Sequence, residues 1–187
     1  MKRIVDSIQS VSSALWLTVL AVVLTACAPV APDSEDLAEE DAALEAEEPS
    51  PATITTNHVY SGTNQMMVYQ PAGYVGGANT YPLVIFLSGA GKVTSTSTVA
   101  DVLTESLPKL LSQGDQPPGL DGKGWLVAAP HAKLSGTWGS TLWLDAYNYM
   151  VANYRVDVDR VWIFGYSLGA AGAMIAAKTH PELLAGI

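Results

Sequence analysis

The fold of this chain is decided by the stretch Val161-Trp162-Ile163-Phe164-Gly165-Tyr166-Ser167-Leu168-Gly169. Its first four residues form a short apolar run of the kind that a parallel sheet buries on both faces. From Leu168 to about Thr179 the residues are mostly small and predict a helix. Between the two, glycines frame Ser167, where they permit a strained backbone and keep side chains away from the neighbouring strand and helix. The stretch therefore predicts a buried strand, a sharp turn with an exposed serine hydroxyl, and a helix.

Such a strand, turn and helix are typical of a nucleophile elbow, with Ser167 as the nucleophile and Gly165 and Gly169 as the glycines that permit the turn. In this layout an acid and then a histidine follow the nucleophile, yet only 20 residues follow Ser167. A helix rises about 1.5 Å per residue, so His180 would lie on the order of 20 Å away. We expect His180 to end the helix ahead of Pro181, and the acid and base to be absent from this chain.

The folded part, from residue 53 onward, alternates between strand and helix patterns. An opening β-hairpin is followed by apolar runs of strand length and by stretches with apolar residues at helical spacing. The predicted elements are strands at 53–60, 66–70, 82–87 and 125–130 and helices at about 98–111 and 142–154. This alternation predicts a mostly parallel sheet with helices on both faces and a site at the carboxyl ends of its strands.

A second loop is expected at that same edge, because Ser88-Gly89-Ala90-Gly91 directly follows the strand at 82–87. An ester-cleaving serine needs donors aimed at the oxyanion that develops on the attacked carbonyl, and backbone amides at strand ends supply them without reorganisation. We expect the amides of Leu168 and Ala90 to be these donors. The glycines of the loop then allow close approach and unusual backbone angles. The alternative is a plain glycine turn.

His131 lies just beyond the strand at 125–130 and is a candidate for lining the acyl or alcohol pocket. As a catalytic base it would be out of chain order. His58 is expected on the sheet surface, and Trp138 and Trp143 are expected to pack in the core rather than to shape a substrate cleft. No cluster of histidines, cysteines and carboxylates in the sequence indicates a metal, and we expect no cofactor.

Four stretches together resemble secreted serine esterases of the α/β-hydrolase superfamily, in particular the group of polyhydroxybutyrate depolymerases, feruloyl esterases and predicted peptidases. They are Gln70-Pro71-Ala72-Gly73-Tyr74, Tyr81-Pro82-Leu83-Val84-Ile85-Phe86-Leu87-Ser88-Gly89-Ala90-Gly91, Asp159-Arg160-Val161-Trp162-Ile163-Phe164-Gly165-Tyr166-Ser167-Leu168-Gly169 and His180-Pro181-Glu182-Leu183-Leu184-Ala185-Gly186-Ile187. The resemblance covers nearly all of residues 66–187. It implies an α/β-hydrolase fold that is truncated after the nucleophile helix, and ester cleavage through an acyl-enzyme. The family usually has histidine where this chain has Ser88, a departure that concerns the side-chain support of the loop and not its amides. Ser88 is a second candidate for lining the substrate pocket.

The amino end has the pattern of a bacterial secretion signal. Lys2 and Arg3 precede an apolar stretch at 14–26, which is shorter than the roughly 20 residues that span a bilayer. The run Leu24-Thr25-Ala26-Cys27 resembles the lipobox of bacterial lipoproteins, so residues 1–26 are predicted to be a signal peptide and Cys27 the lipidated first residue of the mature protein. The alternative is a plain secretory signal with a free thiol at Cys27, the only cysteine of the chain.

The net charge of −9 arises mainly from one segment. Nine carboxylates lie at 33–48 without a lysine or arginine, whereas the residues from 51 onward hold 8 acidic and 7 basic side chains. Residues 27–52 contain several prolines and few large apolar residues, and they predict a solvated tether, with an interaction tail as the alternative. The sequence lacks the basic patch that nucleic-acid binding needs.

These patterns predict the amino-terminal part of an extracytoplasmic serine hydrolase with a signal peptide at 1–26, an acidic tether at 27–52 and a partial α/β-hydrolase domain at 53–187. Its partners would be a small-molecule or polymeric ester and a bacterial membrane, reached through the lipid anchor. A peptidase on the same fold is the second hypothesis. A non-catalytic surface lipoprotein that binds a ligand is the third. The 187-residue chain by itself is expected to be inactive, because Ser167 lacks a base.

Overall fold

The computed structural model describes residues 49–115, 124–133 and 137–187. The strands are β1 (Thr53–Ser61), β2 (Asn64–Gln70), β3 (Tyr81–Leu87), β4 (Leu126–Pro130) and β5 (Val156–Gly165). The α-helices are α1 (Ser106–Ser112), α2 (Leu142–Asn153) and α3 (Leu168–Thr179), and short 3-10 helices occupy Ala90–Lys92, Val99–Thr104 and Pro181–Leu183. The predicted signal peptide, Cys27 and most of the predicted tether lie outside the described residues. Within the described ranges, no helix has the length and apolar character that crossing a membrane requires.

The strands form one mixed sheet in the order β1-β2-β4-β3-β5. β1 and β2 make the predicted antiparallel hairpin, β2 pairs antiparallel with β4, and β3 runs parallel to both β4 and β5. The interior strand β3, between β4 and β5, is buried along most of its length, as its continuous apolar sequence predicts. Because β4, β3 and β5 are parallel neighbours, their carboxyl ends meet at one edge of the sheet.

Helices cover both faces of the sheet, which confirms the predicted layering. On one face, α2 and α3 place Trp143 and Ala176 in a buried cluster with Ile85 of β3. On the other face, the 3-10 helix at 99–104 and α1 form a second cluster, in which Val102 joins Phe86 of β3. Ile85 and Phe86 are consecutive and belong to different clusters because successive side chains of a strand point to opposite faces.

The segment at 98–111 is not the single helix that the sequence pattern predicts. A 3-10 helix at Val99–Thr104 and α1 at Ser106–Ser112 are separated by Glu105, whose backbone is extended. The physical reason is Pro108, which has no N–H to donate to the carbonyl of residue 104 and whose ring would clash with that carbonyl in a continuous helix. The prediction is corrected here, since a proline inside a helical pattern marks a boundary.

The last residues of the chain pair with β5. Gly186 forms a parallel bridge with Trp162, and the amide of Ala185 donates to the carbonyl of Val161 at 2.6 Å. This contact extends the sheet past β5 on the side opposite β3. On the face of β5 that α3 does not cover, the Phe164 side chain is 49% exposed.

Candidate active site

Ser167 lies at the junction between β5 and α3, where the sequence predicts it. Its φ of 52° and ψ of −113° are unusual for a residue with a Cβ, and it is one of two non-glycine residues with positive φ in the described part of the chain. Such conformations cost on the order of 1–3 kcal/mol and persist only where the surrounding structure enforces them. Ser167 is exposed, and no described residue forms a hydrogen bond with its hydroxyl. The turn thus presents the hydroxyl to solvent.

Close backbone contacts explain the two glycines that frame the serine. A Cβ on Gly169 would lie 1.8 Å from the carbonyl oxygen of Leu87, and a Cβ on Gly165 would lie 2.1 Å from the carbonyl oxygen of Gly169. The obstructing atoms belong to the backbone, so no side-chain rotation relieves either clash. The amide of Tyr166 donates to the same Leu87 carbonyl at 3.1 Å. The turn is therefore fixed against the end of β3.

Two backbone amides at this edge have no acceptor among the residues that the structure describes. Ala90 begins the 3-10 helix that follows β3, and Leu168 begins α3. The first amides of a helix have no partner within it, and among the hydrogen bonds of the described residues none uses either amide as the donor. β3 and β5 are adjacent, so both amides lie at neighbouring strand ends, as expected from the sequence. Unpaired amides at a helix start favour an anionic oxygen.

The loop after β3 has a partner that the sequence pattern did not reveal. The amide of Gly89 donates to Oε2 of Glu105 at 2.9 Å. Glu105 links the two short helices at 99–112, and the next residue, Ser106, has a φ of 47°. The feature of the sequence that could have indicated this contact is Pro108. A proline at this position predicts a break in the helix, and the break places the Glu105 side chain next to the loop.

Ser88 is fully buried, and within the described ranges its hydroxyl has no hydrogen-bond partner. Its carbonyl oxygen accepts a hydrogen bond of 2.8 Å from Nε1 of Trp138. Trp138 and Trp143 are both fully buried in the core. The two tryptophans therefore pack inside the domain, as the sequence analysis favoured, and Trp138 also supports the loop after β3.

His131 lines a cavity of about 270 Å³ at the carboxyl end of β4, together with Thr63, Asn64, Gln65, Ser97, Thr98, Val99 and Lys133. The Ser97 hydroxyl donates its one proton to the carbonyl of Thr94. In its 3.0 Å contact with Nε2 of His131 the Ser97 oxygen must therefore accept, so Nε2 carries the proton and Nδ1 of the neutral ring is an acceptor. Burial lowers the pKa of His131, and the nearby Asp101 carboxylate opposes this shift. His131 follows β4 and Ser167 follows β5, and β3 lies between these two strands. At ordinary strand spacing the two residues are therefore about 10 Å apart.

The other two histidines are structural. His180 follows the last residue of α3, bonds to Glu182 at 3.1 Å and packs edge-on against Trp143. His58 lies half-buried on β1, where Nε2 contacts the hydroxyl of Tyr154 at 3.1 Å. Neither contacts Ser167, so the described residues bring no base to the serine. Across those same residues, no group of three or more histidine, cysteine or acidic side chains is arranged to hold a metal ion.

The sheet order, the helices on both faces and the elbow define an α/β-hydrolase fold. The family model described as "Putative esterase" matches residues 57–186, and the chain belongs to this esterase family.

Solved structures with this fold include a ferulic acid esterase, which is 17% identical with a TM-score of 0.51, the match covering 72% of this chain and 58% of that one. An acetyl xylan esterase from Aspergillus awamori is 18% identical with a TM-score of 0.51, covering 72% of this chain and 52% of that one. A thermostable esterase is 21% identical with a TM-score of 0.48, covering 72% of this chain and 39% of that one. The chain thus spans between about two fifths and three fifths of these relatives' length. Among curated proteins, none matches this sequence significantly.

Proposed function

We propose that this protein is a serine hydrolase that cleaves carboxylic esters through an acyl-enzyme on Ser167. The observation that carries the proposal is the backbone of Ser167, which is held at a φ of 52° between β5 and α3 with its hydroxyl exposed. A strained serine at this junction of an α/β-hydrolase sheet is the geometry from which such enzymes attack a carbonyl carbon. Membership of the esterase family supports the same reaction class.

In the proposed reaction, Oγ of Ser167 attacks the ester carbonyl carbon while a base accepts the hydroxyl proton. The carbonyl oxygen becomes an oxyanion, and the unpaired amides of Ala90 and Leu168 would donate to it. Collapse of this intermediate releases the alcohol, which takes the proton back from the base. Water then attacks the acyl-enzyme in the same way, which releases the acid and restores Ser167.

The base and its orienting acid are proposed to lie outside these 187 residues. In this fold they follow the nucleophile in the order acid and then histidine, and the chain spans 58% of the ferulic acid esterase that it resembles in structure. The 187-residue chain alone is therefore proposed to be inactive toward esters. Without a base, the serine hydroxyl remains a weak nucleophile.

The proposed substrate is a small-molecule or polymeric ester. Ferulic acid esterase and acetyl xylan esterase are among the structures that share the fold. His131 and the cavity it lines at the end of β4 are proposed to hold a part of the substrate distant from the scissile bond. Ser88, the other candidate for this role, is less suited to it, because its side chain is fully buried.

The protein is further proposed to act outside the cytoplasm, attached to a bacterial membrane by a lipid on Cys27, with residues 27–52 as the tether. The support comes from the sequence, in which the apolar stretch at 14–26 ends at Leu24-Thr25-Ala26-Cys27. Secretion without the anchor is the alternative.

The test uses the complete gene product and a fluorophosphonate probe. The probe is expected to label Ser167, and Ser167→Ala should abolish labelling and lower turnover of short-chain aryl esters by several orders of magnitude. Ser112→Ala, an exposed serine on α1, is the matched control and should change neither. Undiminished ester turnover in Ser167→Ala would refute the proposal, and cleavage of peptides in preference to esters would favour the peptidase hypothesis.

A further inference from the structure

We infer that Glu105 is a positioning residue for the proposed reaction, acting on the loop at 88–91 through the amide of Gly89. This inference rests on the proposed function, because Glu105 would affect catalysis only if the Ala90 amide donates to the oxyanion. Its physical basis is the 2.9 Å hydrogen bond from the Gly89 amide to Oε2 of Glu105. The bond ties the amide of Gly89 to a side chain 16 residues further along the chain, and it thereby holds the loop after β3 in place.

The direction of the Ala90 amide depends on how Gly89 is held. Gly89 donates its N–H to Glu105, and its carbonyl accepts from the amide of Lys92 at 3.0 Å. The N–H and C=O of a trans peptide point in opposite directions, so the Ala90 N–H, which shares a peptide plane with the Gly89 carbonyl, is directed away from Lys92. Fixing both sides of Gly89 therefore fixes where the Ala90 donor points.

Gly89 lies between Glu105 and the elbow. A Cβ on Gly89 would lie 3.1 Å from Oε1 of Glu105 and 3.2 Å from Cδ1 of Tyr166, the residue before the serine. One carboxylate thus lies against the loop that carries Ala90, and that loop lies against the turn that carries Ser167. Displacing Glu105 would alter the geometry between the two proposed oxyanion donors.

The backbone next to Glu105 is strained. Glu105 is extended between the two short helices, and Ser106 adopts a φ of 47°. A serine rarely adopts positive φ, and conformations of this kind concentrate at functional sites. Pro108 excludes a continuous helix here, so Glu105 is held in an extended conformation next to the loop at 88–91.

The chemistry favours the acceptor of Glu105 rather than its charge. A negative charge close to a developing oxyanion would disfavour the transition state, so electrostatic attraction is excluded as the benefit. The loop is held by an oxygen that accepts a hydrogen bond from the amide of Gly89. Glutamine keeps such an oxygen and removes the charge, whereas methionine has a similar length and volume with no comparable acceptor.

The experiment compares Glu105→Gln with Glu105→Met in the complete gene product, with kcat and KM measured on an aryl ester and kcat expressed per probe-reactive Ser167. Glu105→Met is expected to lower kcat about tenfold to a hundredfold and to leave KM within about twofold. The Ala90 amide would be misdirected, and because it donates to the oxyanion only in the transition state, substrate binding would be unaffected. Glu105→Gln should keep kcat within a few-fold. Asp115→Asn, on an exposed residue after α1, controls for the loss of an acidic charge.

Unchanged kcat in Glu105→Met would overturn the inference, as would an equal loss in both Glu105 variants. A rise in KM alone would also overturn it, because the residue would then act on substrate binding. Expressing kcat per probe-reactive serine prevents a folding loss from being counted as a catalytic one. If Ser167→Ala keeps its turnover, the proposed function itself fails. If Ser167→Ala loses its turnover while Glu105→Met does not, only the role of Glu105 fails.

Discussion

Replacing Gly169 by alanine tests the contact on which the elbow depends. The added Cβ would lie 1.8 Å from the carbonyl oxygen and 2.4 Å from the carbonyl carbon of Leu87. Both atoms belong to the interior strand β3, and the same carbonyl already accepts from the amide of Tyr166. The clash can be relieved only if α3 moves away from the sheet.

The size of the effect follows from that distance. An ordinary contact between these atoms is about 3.4 Å, so α3 and β3 would have to separate by roughly 1.5 Å, and overpacking of a well-packed interior usually costs about 1–3 kcal/mol, occasionally more. Here the obstruction is backbone, so we expect a loss of at least about 3 kcal/mol. Since natural domains are stable by only about 5–15 kcal/mol, this is a large fraction of the total. It corresponds to a fall in Tm of roughly 10 °C at about 2–4 °C per kcal/mol.

The assay is thermal and urea unfolding of the complete gene product, followed by circular dichroism. Gly139→Ala is the matched control, because a Cβ there would meet no atom within 4 Å, and it should unfold within about 1 kcal/mol of the parent. Gly172→Ala should fall between the two, since its Cβ would meet side-chain atoms of Trp138 at 2.5 Å and of Leu87 at 2.9 Å. If Gly169→Ala unfolds at the temperature of the control, the close approach of α3 to β3 is wrong.

Three further outcomes are expected. Labelled fatty acid should be incorporated into the expressed protein and lost in Cys27→Ser, and an unlabelled, wholly soluble wild-type protein would contradict the lipid anchor. Burial lowers the pKa values of His131 and His58 below 6.5 in the folded protein. As the pH falls through 6.5, these histidines therefore bind protons more readily in the unfolded chain than in the folded one, and the free energy of unfolding should decrease between pH 7 and pH 5. Urea midpoints at pH 7.5 and 5 measure this loss, which His131→Asn should reduce, and a pH-independent midpoint would refute it. Residues 53–187 expressed alone should be poorly soluble, because the exposed Phe164 and the sparsely paired outer edge of β5 favour association. They should also hydrolyse no aryl ester, because Ser167 lacks a base. A soluble monomer with one cooperative melting transition would contradict the first expectation, and ester turnover would contradict the second.

The sequence by itself was sufficient to predict those strands and helices whose pattern lies within a few consecutive residues. The apolar run before Gly165, the small residues after Ser167 and the glycines between them predicted the second half of β5, the turn and α3, and the bounds of α3 agree with the structure. The first half of β5, from Val156, is mostly polar and was not predicted. The opening hairpin and the buried strand β3 were predicted in the same way. In each case the preference of a few consecutive residues and the tertiary environment agree, so a local pattern is enough.

Only the tertiary structure decided which residues meet across the chain. Glu105 meets Gly89, Trp138 meets the carbonyl of Ser88, and the Leu87 carbonyl dictates the glycine at 169. Each contact joins segments that are far apart in sequence, so no periodicity of either segment reports it. The break at Glu105 shows the same limit: apolar spacing predicted one helix at 98–111, while Pro108 together with the hydrogen bond to Gly89 favours two short helices. Local patterns select the strands and helices, but hydrogen bonds and close contacts between distant segments decide where each functional group points.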